Sequence, residues 1–139
     1  MIVVDTGGLI ALLDRDDRHH GTVRRAFEEE GGSWIVPWAV LPEVDYLVTK
    51  YMGDRVARAF VDDVSEGLYR VDANVNRDLP RASALLGRYP KLGLGLVDAV
   101  VMAQAERHRA RTIVTTDARH FRAVKLNLRP PPRLIPLDE

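Results

Sequence analysis

Four acidic residues have the types and positions that metal-dependent chemistry requires. Asp5 ends a β-branched apolar run at the N-terminus, and Asp117 ends a similar run late in the chain. Glu43 and Asp98 lie inside apolar helical patterns, where an unpaired carboxylate is costly. Two carboxylates 4 Å apart repel by about 4 kcal/mol at an effective dielectric near 20. A divalent cation removes that cost, so these acids predict a metal site in an enzyme that acts on phosphates.

The composition narrows the choice of metal. The chain contains no Cys, and its four His residues include only one adjacent pair, His19 and His20. Adjacent side chains on a helix point about 100° apart, so this pair makes a poor chelate. A set of oxygen ligands without Cys or clustered His favours Mg²⁺ or Mn²⁺ over Zn²⁺.

Each acid also has a purely structural interpretation. Asp5 and Asp117 both follow a predicted strand and precede a helix, where Asp is a favoured N-cap. Asp98 lies near the start of a helix and could act as a cap or stabilise the helix dipole. Glu43 lies on an apolar helical face, whereas Asp45 points about 200° away from it and is expected to be solvated or structural.

Alternating strands and helices must position these acids. Short apolar runs predict strands over residues 2–5, 34–36, 68–71 and 112–115, with a possible edge strand at 134–135. Helical periodicity predicts helices over residues 9–13, 18–30, 37–51, 55–66, 76–89 and 96–107, with a flexible loop at 92–95. Pro42 suggests that the third helix truly begins there, and Pro80 leaves the start of the fifth in doubt. The alternation predicts a parallel α/β sandwich, whose sites form beyond the carboxyl ends of the strands.

The totals set further bounds on the protein. A chain of 139 residues predicts one domain over 1–139. Twenty basic and twenty acidic residues argue against nonspecific coating of nucleic acid, but they permit a local basic groove. The candidates for phosphate contacts at its rim are Arg15, Arg18, Arg24, Arg25, Arg119 and Arg122. The chain has no signal-peptide pattern and no long apolar run, so we expect a cytoplasmic protein without membrane contact.

Five short motifs, in this order, resemble the PIN domain, specifically the VapC-type ribonuclease toxins of bacterial toxin–antitoxin pairs. The resemblance runs nearly end to end. The motifs are Asp5-Thr6 with the following small residues, the segment around His20, Leu41-Pro42-Glu43-Val44, Leu96-Val97-Asp98-Ala99, and Thr115-Thr116-Asp117 followed by His120-Phe121.

The resemblance implies a three-layer α/β/α sandwich with a central, mainly parallel sheet. It also implies that a Mg²⁺ or Mn²⁺ site formed by Asp5, Glu43, Asp98 and Asp117 catalyses endonucleolytic cleavage of RNA. The hydroxyls of Thr6, Thr115 and Thr116 would orient these acids. A cognate antitoxin and a homodimer are the implied protein partners.

Other functions stay open at the level of sequence. An α/β phosphatase would need a second Asp two residues after Asp5, where this chain has Gly7. A binding module in which the acids only cap helices would bind no metal. A solitary PIN nuclease would lack an antitoxin. Trp34, Trp38 and His120 are expected to pack in the core or at contacts rather than to act on RNA.

Overall fold

The computed structural model describes residues 1–139 as one five-stranded sheet with seven helices. The strands are β1 (Ile2–Val4), β2 (Ile35–Pro37), β3 (Arg70–Asp72), β4 (Thr112–Thr115) and β5 (Arg133–Pro136). The helices are α1 (Thr6–Leu13), α2 (His20–Glu29), α3 (Val40–Met52), α4 (Asp54–Ser65), α5 (Val75–Arg88), α6 (Leu96–Arg107) and α7 (Ala118–Ala123). The strand order is β3-β2-β1-β4-β5 and every pair is parallel. The predicted α/β fold with a parallel central sheet is confirmed.

The central strands are apolar because helices cover the sheet. All residues of β1 and β2 are buried, which is typical of parallel strands packed on both faces. Helix α5 packs on α6, and α6 lies against β1 and β2. Helix α1 packs against β4 and contacts α2 and α3, while α4 packs on α3. These two groups of helices supply the outer layers.

Several helix boundaries differ from the sequence expectations, and one helix was not predicted. Helix α1 begins at Thr6 rather than at residue 9. Helix α3 begins at Val40, so Pro42 lies in its first turn. Proline is tolerated there because the first four N–H groups of a helix have no helical partner to lose. Pro80 lies within α5, which begins at Val75. Helix α7 was not predicted, because six residues give too short a pattern to detect.

The centre of the sheet brings distant parts of the chain together. β1 pairs with β4 from Ile2↔Thr112 to Val4↔Val114, so both strands end at the same edge. Helix α1 approaches β4 closely because Gly8 has no side chain: a Cβ there would lie 2.5 Å from the carbonyl oxygen of Val114. The glycine therefore allows α1 to start directly above the carboxyl end of β4.

None of the seven helices combines the length and apolar character needed to cross a membrane.

Candidate metal centre

The predicted acids meet at the carboxyl ends of β1 and β4. Asp5 directly follows β1, and its backbone N–H donates to the carbonyl oxygen of Val114 at 2.8 Å. Thr115 ends β4, and Asp117 follows two residues later. The register of these two central strands therefore fixes the separation of Asp5 and Asp117, although Asp117 lies 112 positions after Asp5 in the chain.

Asp5 is the most buried acid of the site. Its exposed fraction is 6%, and its side chain does not accept the N–H groups of the second or third helical residue as a standard N-cap would, so capping alone does not account for it. Burial, with a smaller contribution from the negative charges of Asp98 and Glu43, raises the pKa of the Asp5 carboxyl to about 6. The Thr6 backbone N–H and, to a smaller extent, the Thr115 hydroxyl act in the opposite direction by donating toward this carboxylate. Asp5 is thus a costly buried carboxylate, which a nearby cation would stabilise.

Asp117 has two roles, one for each carboxylate oxygen. Oδ1 caps α7 by accepting the backbone N–H groups of Arg119 at 3.1 Å and His120 at 3.5 Å. Oδ2 lies 3.0 Å from Nδ1 of His120. The capping function considered from sequence is therefore present, and it leaves one oxygen directed at the site.

Asp98 occupies the first turn of α6 and completes a cluster with Asp117 and His120. Its Oδ2 accepts the backbone N–H of Gly95 at 3.3 Å and lies 3.3 Å from Nδ1 of His120. Burial raises the pKa of Asp98, and the charges of Asp117 and Glu43 add to this effect. One ligand atom from each of Asp98, Asp117 and His120 lies within 4.8 Å of the others, a spacing that a single metal ion could span.

Glu43 lies at the mouth of the site. The sequence pattern placed it on the apolar face of α3, but the structure exposes it, because the neighbouring Val44 and Val48 provide the buried face. Its charge nevertheless raises the pKa of both Asp5 and Asp98, so it belongs to the same electrostatic cluster. Asp45 is exposed, as expected.

His120 is the residue that the sequence reasoning missed as part of the site. Its Nε2 lies 3.1 Å from the carbonyl oxygen of Leu92, which can only accept a hydrogen bond, so Nε2 carries the proton. Nδ1 is buried and lies 3.0 Å from Asp117 Oδ2 and 3.3 Å from Asp98 Oδ2, close enough for an ion pair when the ring is protonated but without hydrogen-bond geometry to either oxygen. In the neutral ring this nitrogen offers a lone pair that a cation shared with the two carboxylates could use. The sequence expectation of an all-oxygen ligand set is therefore wrong at this position, because one imidazole nitrogen lies within the cluster. The sequence did contain a signal, because His120 lies three residues after Asp117 and so on the same helical face.

The three predicted hydroxyl residues have different surroundings. Thr115 is fully buried, donates to Asp5 Oδ2 at 2.9 Å and accepts the backbone N–H of Asp117 at 3.0 Å. Thr6 is also buried, but its Oγ1 has no hydrogen-bond partner. Thr116 is exposed. Thr115 therefore joins the two strand-end acids, and the Thr6 hydroxyl is an additional unpaired polar atom next to Asp5.

The remaining predicted residues lie away from this cluster or pack elsewhere. Trp34 is fully buried in the core, and Trp38 donates from Nε1 to Oδ2 of Asp78 at 2.9 Å. Nδ1 of His20 lies 2.9 Å from the carbonyl oxygen of Ala11. Among the rim arginines, Arg24 pairs with Glu28 and Arg122 pairs with Asp138, whereas the ion pairs of the structure include no others from this group.

Comparison with known proteins places this geometry in a family. Residues 2–126 match the family described as "PIN domain". The chain is 27% identical over 124 residues to "Ribonuclease VapC26" of Mycobacterium tuberculosis, an alignment that covers 89% of this chain and 92% of the relative.

Solved structures share the fold. Mycobacterium tuberculosis VapC20, described as a "Sarcin-Ricin loop cleaving toxin", superposes with a TM-score of 0.78 at 24% identity, over 94% of this chain and all of that one. A VapBC2 structure from Rickettsia felis, bound to a promoter DNA fragment, superposes with a TM-score of 0.69 at 17% identity, over 96% and 97% of the two chains.

Proposed function

The chain belongs to the PIN domain family, and from that premise we propose that it is a Mg²⁺- or Mn²⁺-dependent endoribonuclease, the toxin of a toxin–antitoxin pair. The observation that carries the proposal is the cluster of Asp98, Asp117 and His120 beside the buried Asp5. Four acids gathered at one edge of the sheet, together with an unpaired imidazole nitrogen, form a set of groups that a cation would stabilise. The similarity to a named ribonuclease supports RNA as the substrate.

Asp5, Glu43, Asp98 and Asp117 are the proposed metal-binding and catalytic residues, with His120 beside them. A bound Mg²⁺ or Mn²⁺ would supply Lewis-acid chemistry, activating the attacking water and stabilising the leaving oxygen of the phosphodiester. Thr115 fixes the orientation of the Asp5 carboxylate and holds the backbone at Asp117. The Leu92 carbonyl fixes the ring of His120 so that Nδ1 faces the acids.

Protein partners are part of the same proposal. Several similar structures are toxin–antitoxin complexes, including one from Klebsiella pneumoniae, and these support a cognate antitoxin for this chain. Helix α3 also exposes Tyr46 and Tyr51, with exposed fractions of 62% and 71%. Large exposed aromatic side chains are typical of protein contacts, and Tyr46 lies one helical turn from Glu43. An antitoxin or a second copy of the chain that covers this face would therefore lie next to the site.

The proposed activity can be tested with a circular RNA, which has no ends for an exonuclease to attack. We expect the purified protein to open the circle with Mg²⁺ or Mn²⁺, to stop in EDTA, and to resume when metal is restored. Opening of the circle in EDTA would refute the metal requirement. A lack of cleavage in circular, linear and structured RNAs at saturating metal would favour the binding-module alternative.

The proposed partnership has its own test. We expect the product of a neighbouring small reading frame to co-purify with this chain and to suppress RNA cleavage. If no adjacent frame yields an inhibitory partner, the chain is a solitary nuclease, and the ribonuclease proposal stands without the antitoxin.

A further inference from the structure

A shallow surface cavity near the acidic cluster is lined by two basic side chains together with aromatic and apolar ones. It has a volume of about 430 Å³ and lies beyond the end of α5, with a lining formed by Arg88, Tyr89, Pro90, Lys91, Leu92 and Ala123. Leu92 connects it to the cluster, because its carbonyl oxygen lies 3.1 Å from Nε2 of His120. Nδ1 of the same ring faces Asp98 and Asp117. Leu92 and His120 thus form a chain of contacts from the cavity to the acids.

The two cations of this cavity are free to bind an anion. Arg88 and Lys91 are exposed, and neither takes part in the ion pairs of the structure. Arg88 lies in the last turn of α5, where the helix dipole favours a cation. Lys91 lies beyond the helix, so the dipole gives no comparable reason for its charge. The helix dipole therefore explains the charge of Arg88 but not that of Lys91.

Tyr89 holds one of these cations in place. The guanidinium carbon of Arg88 lies 5.8 Å from the centroid of the Tyr89 ring, within the range of a cation–π contact. The Tyr89 hydroxyl accepts the backbone N–H of Lys125 at 3.1 Å, which ties the end of α5 to the segment after α7. Tyr89 thereby fixes the position of Arg88 at the cavity wall.

An acidic site that must bind a polyanion needs basic groups nearby. The carboxylates that would hold a metal repel every phosphate of a nucleic-acid strand except those neutralised by that metal. Basic side chains beside the site offset this repulsion and gain affinity by releasing counterions from the strand. Arg88 and Lys91 are suitably placed, because they line the same cavity as Leu92, whose carbonyl oxygen contacts His120 of the cluster.

We propose that Arg88 and Lys91 bind the backbone phosphates of the RNA strand that flank the scissile phosphodiester. The inference rests on the proposed function, because it takes RNA as the substrate. Tyr89 is a positioning residue that acts through Arg88. Phosphate contacts carry no base information, so this cavity contributes affinity and register rather than sequence preference.

The test measures RNA binding separately from cleavage. A fluorescently labelled single-stranded RNA is titrated with the full-length protein in EDTA, and anisotropy reports the Kd at several salt concentrations. For the Arg88→Ala/Lys91→Ala double variant we expect Kd to rise about ten- to a hundredfold, equally for oligonucleotides of different sequence. The slope of log affinity against log salt should fall in magnitude by about 1.4, since each contact with single-stranded nucleic acid contributes about 0.7.

Two matched variants separate this role from overall charge. Arg70→Ala/Arg111→Ala removes the same charge from exposed positions at the amino-terminal starts of β3 and β4, and it should bind RNA like the wild type. The charge-conserving variant Arg88→Lys/Lys91→Arg should retain most of the affinity. Thermal unfolding of each variant checks that the fold is intact.

The inference is overturned if Arg88→Ala/Lys91→Ala binds RNA as tightly as Arg70→Ala/Arg111→Ala does, or if the wild type shows no binding even at low salt. The proposed function fails by a different readout, namely metal-independent or absent cleavage. A protein that cleaves RNA with metal but is unaffected by the double variant would therefore refute only the role of this cavity.

Discussion

The side chains of Asp5 and Thr115 are joined by a hydrogen bond of 2.9 Å, although the two residues are 110 positions apart in the chain. The bond exists because β1 and β4 are neighbours at the centre of the sheet and end at the same edge. The same hydroxyl accepts the backbone N–H of Asp117, so a single buried threonine sets the relative positions of two acids.

Removal of this hydroxyl should weaken both the fold and the activity. We expect Thr115→Val to lower the free energy of unfolding by about 1–3 kcal/mol, because the buried Asp5 carboxylate and the Asp117 N–H lose a partner. Metal-dependent RNA cleavage should fall about 10- to 100-fold, as is typical when a group that orients a metal ligand is lost. Thermal unfolding and initial cleavage rates measure the two effects. The adjacent, exposed Thr116→Val is the control, and equal behaviour of the two variants would contradict this role.

Stabilisation by metal should depend on pH because Asp5 must be ionised to bind a cation. Its folded-state pKa, about 6, lies above the ordinary 3.8, so the folded metal-free protein binds more protons than the unfolded chain between these values. Through this group the stability of the metal-free protein falls as pH rises from about 4 to about 6. A bound metal ion favours the ionised Asp5 carboxylate and so removes this loss of stability. The stabilisation of the fold by metal should therefore grow as pH rises from about 4 to about 6.

The measurement is the melting temperature with and without millimolar Mn²⁺ on both sides of this interval. We expect Mn²⁺ to increase the melting temperature more at pH about 7.5 than at about 5. In Asp5→Asn the difference between the increases at the two pH values should be smaller. An increase that is independent of pH and unchanged in Asp5→Asn would show that metal binds elsewhere.

His120 should contribute to metal binding through Nδ1. We expect His120→Ala to weaken Mn²⁺ binding at least about tenfold, because the unpaired nitrogen beside Asp98 and Asp117 is removed. Titration calorimetry on the metal-free protein gives the affinity directly. His19→Ala, which changes a histidine outside the cluster, should bind Mn²⁺ like the wild type. Unchanged binding by His120→Ala would restrict the residue to packing beneath the site.

Gly8 should tolerate no side chain because it lies against the strand that supports the site. A Cβ there would lie 2.5 Å from the Val114 carbonyl oxygen, which belongs to the sheet backbone and cannot move freely. We expect Gly8→Ala to destabilise the protein by about 1–3 kcal/mol, as overpacked substitutions do. Gly21→Ala in α2 has open space around it and should stabilise by up to about 1 kcal/mol. Denaturant unfolding compares the two, and equal stabilities would contradict the close approach of α1 to β4.

Sequence patterns predicted the parts of this fold that depend on local periodicity. The α6 bounds, 96–107, agree because a central buried helix has a long and nearly uninterrupted apolar sequence. The four acids could be selected because strand ends and helix starts are recognisable locally. Exposure of Glu43 was not predictable, since it depends on which face of α3 meets the sheet.

Other features required three-dimensional contacts. The orientation of His120 depends on the Leu92 carbonyl, 28 residues earlier in the chain, and no local pattern indicates that contact. The cavity beside Arg88 and Lys91 depends on how α5 ends against the segment after α7. Such sites arise between elements whose packing the sequence alone does not specify.

The most direct test of the central claim compares an aspartate of the cluster with an exposed aspartate outside it in one reaction. Single-turnover cleavage of a labelled RNA is followed as Mn²⁺ is raised, with the wild type, Asp98→Asn and Asp45→Asn. Our account predicts a rate that saturates with Mn²⁺ for the wild type and for Asp45→Asn, and a loss of at least about a hundredfold for Asp98→Asn. Equal rates for Asp98→Asn and the wild type, or a rate that does not depend on Mn²⁺, would contradict the assignment of this cluster as a metal-dependent ribonuclease site.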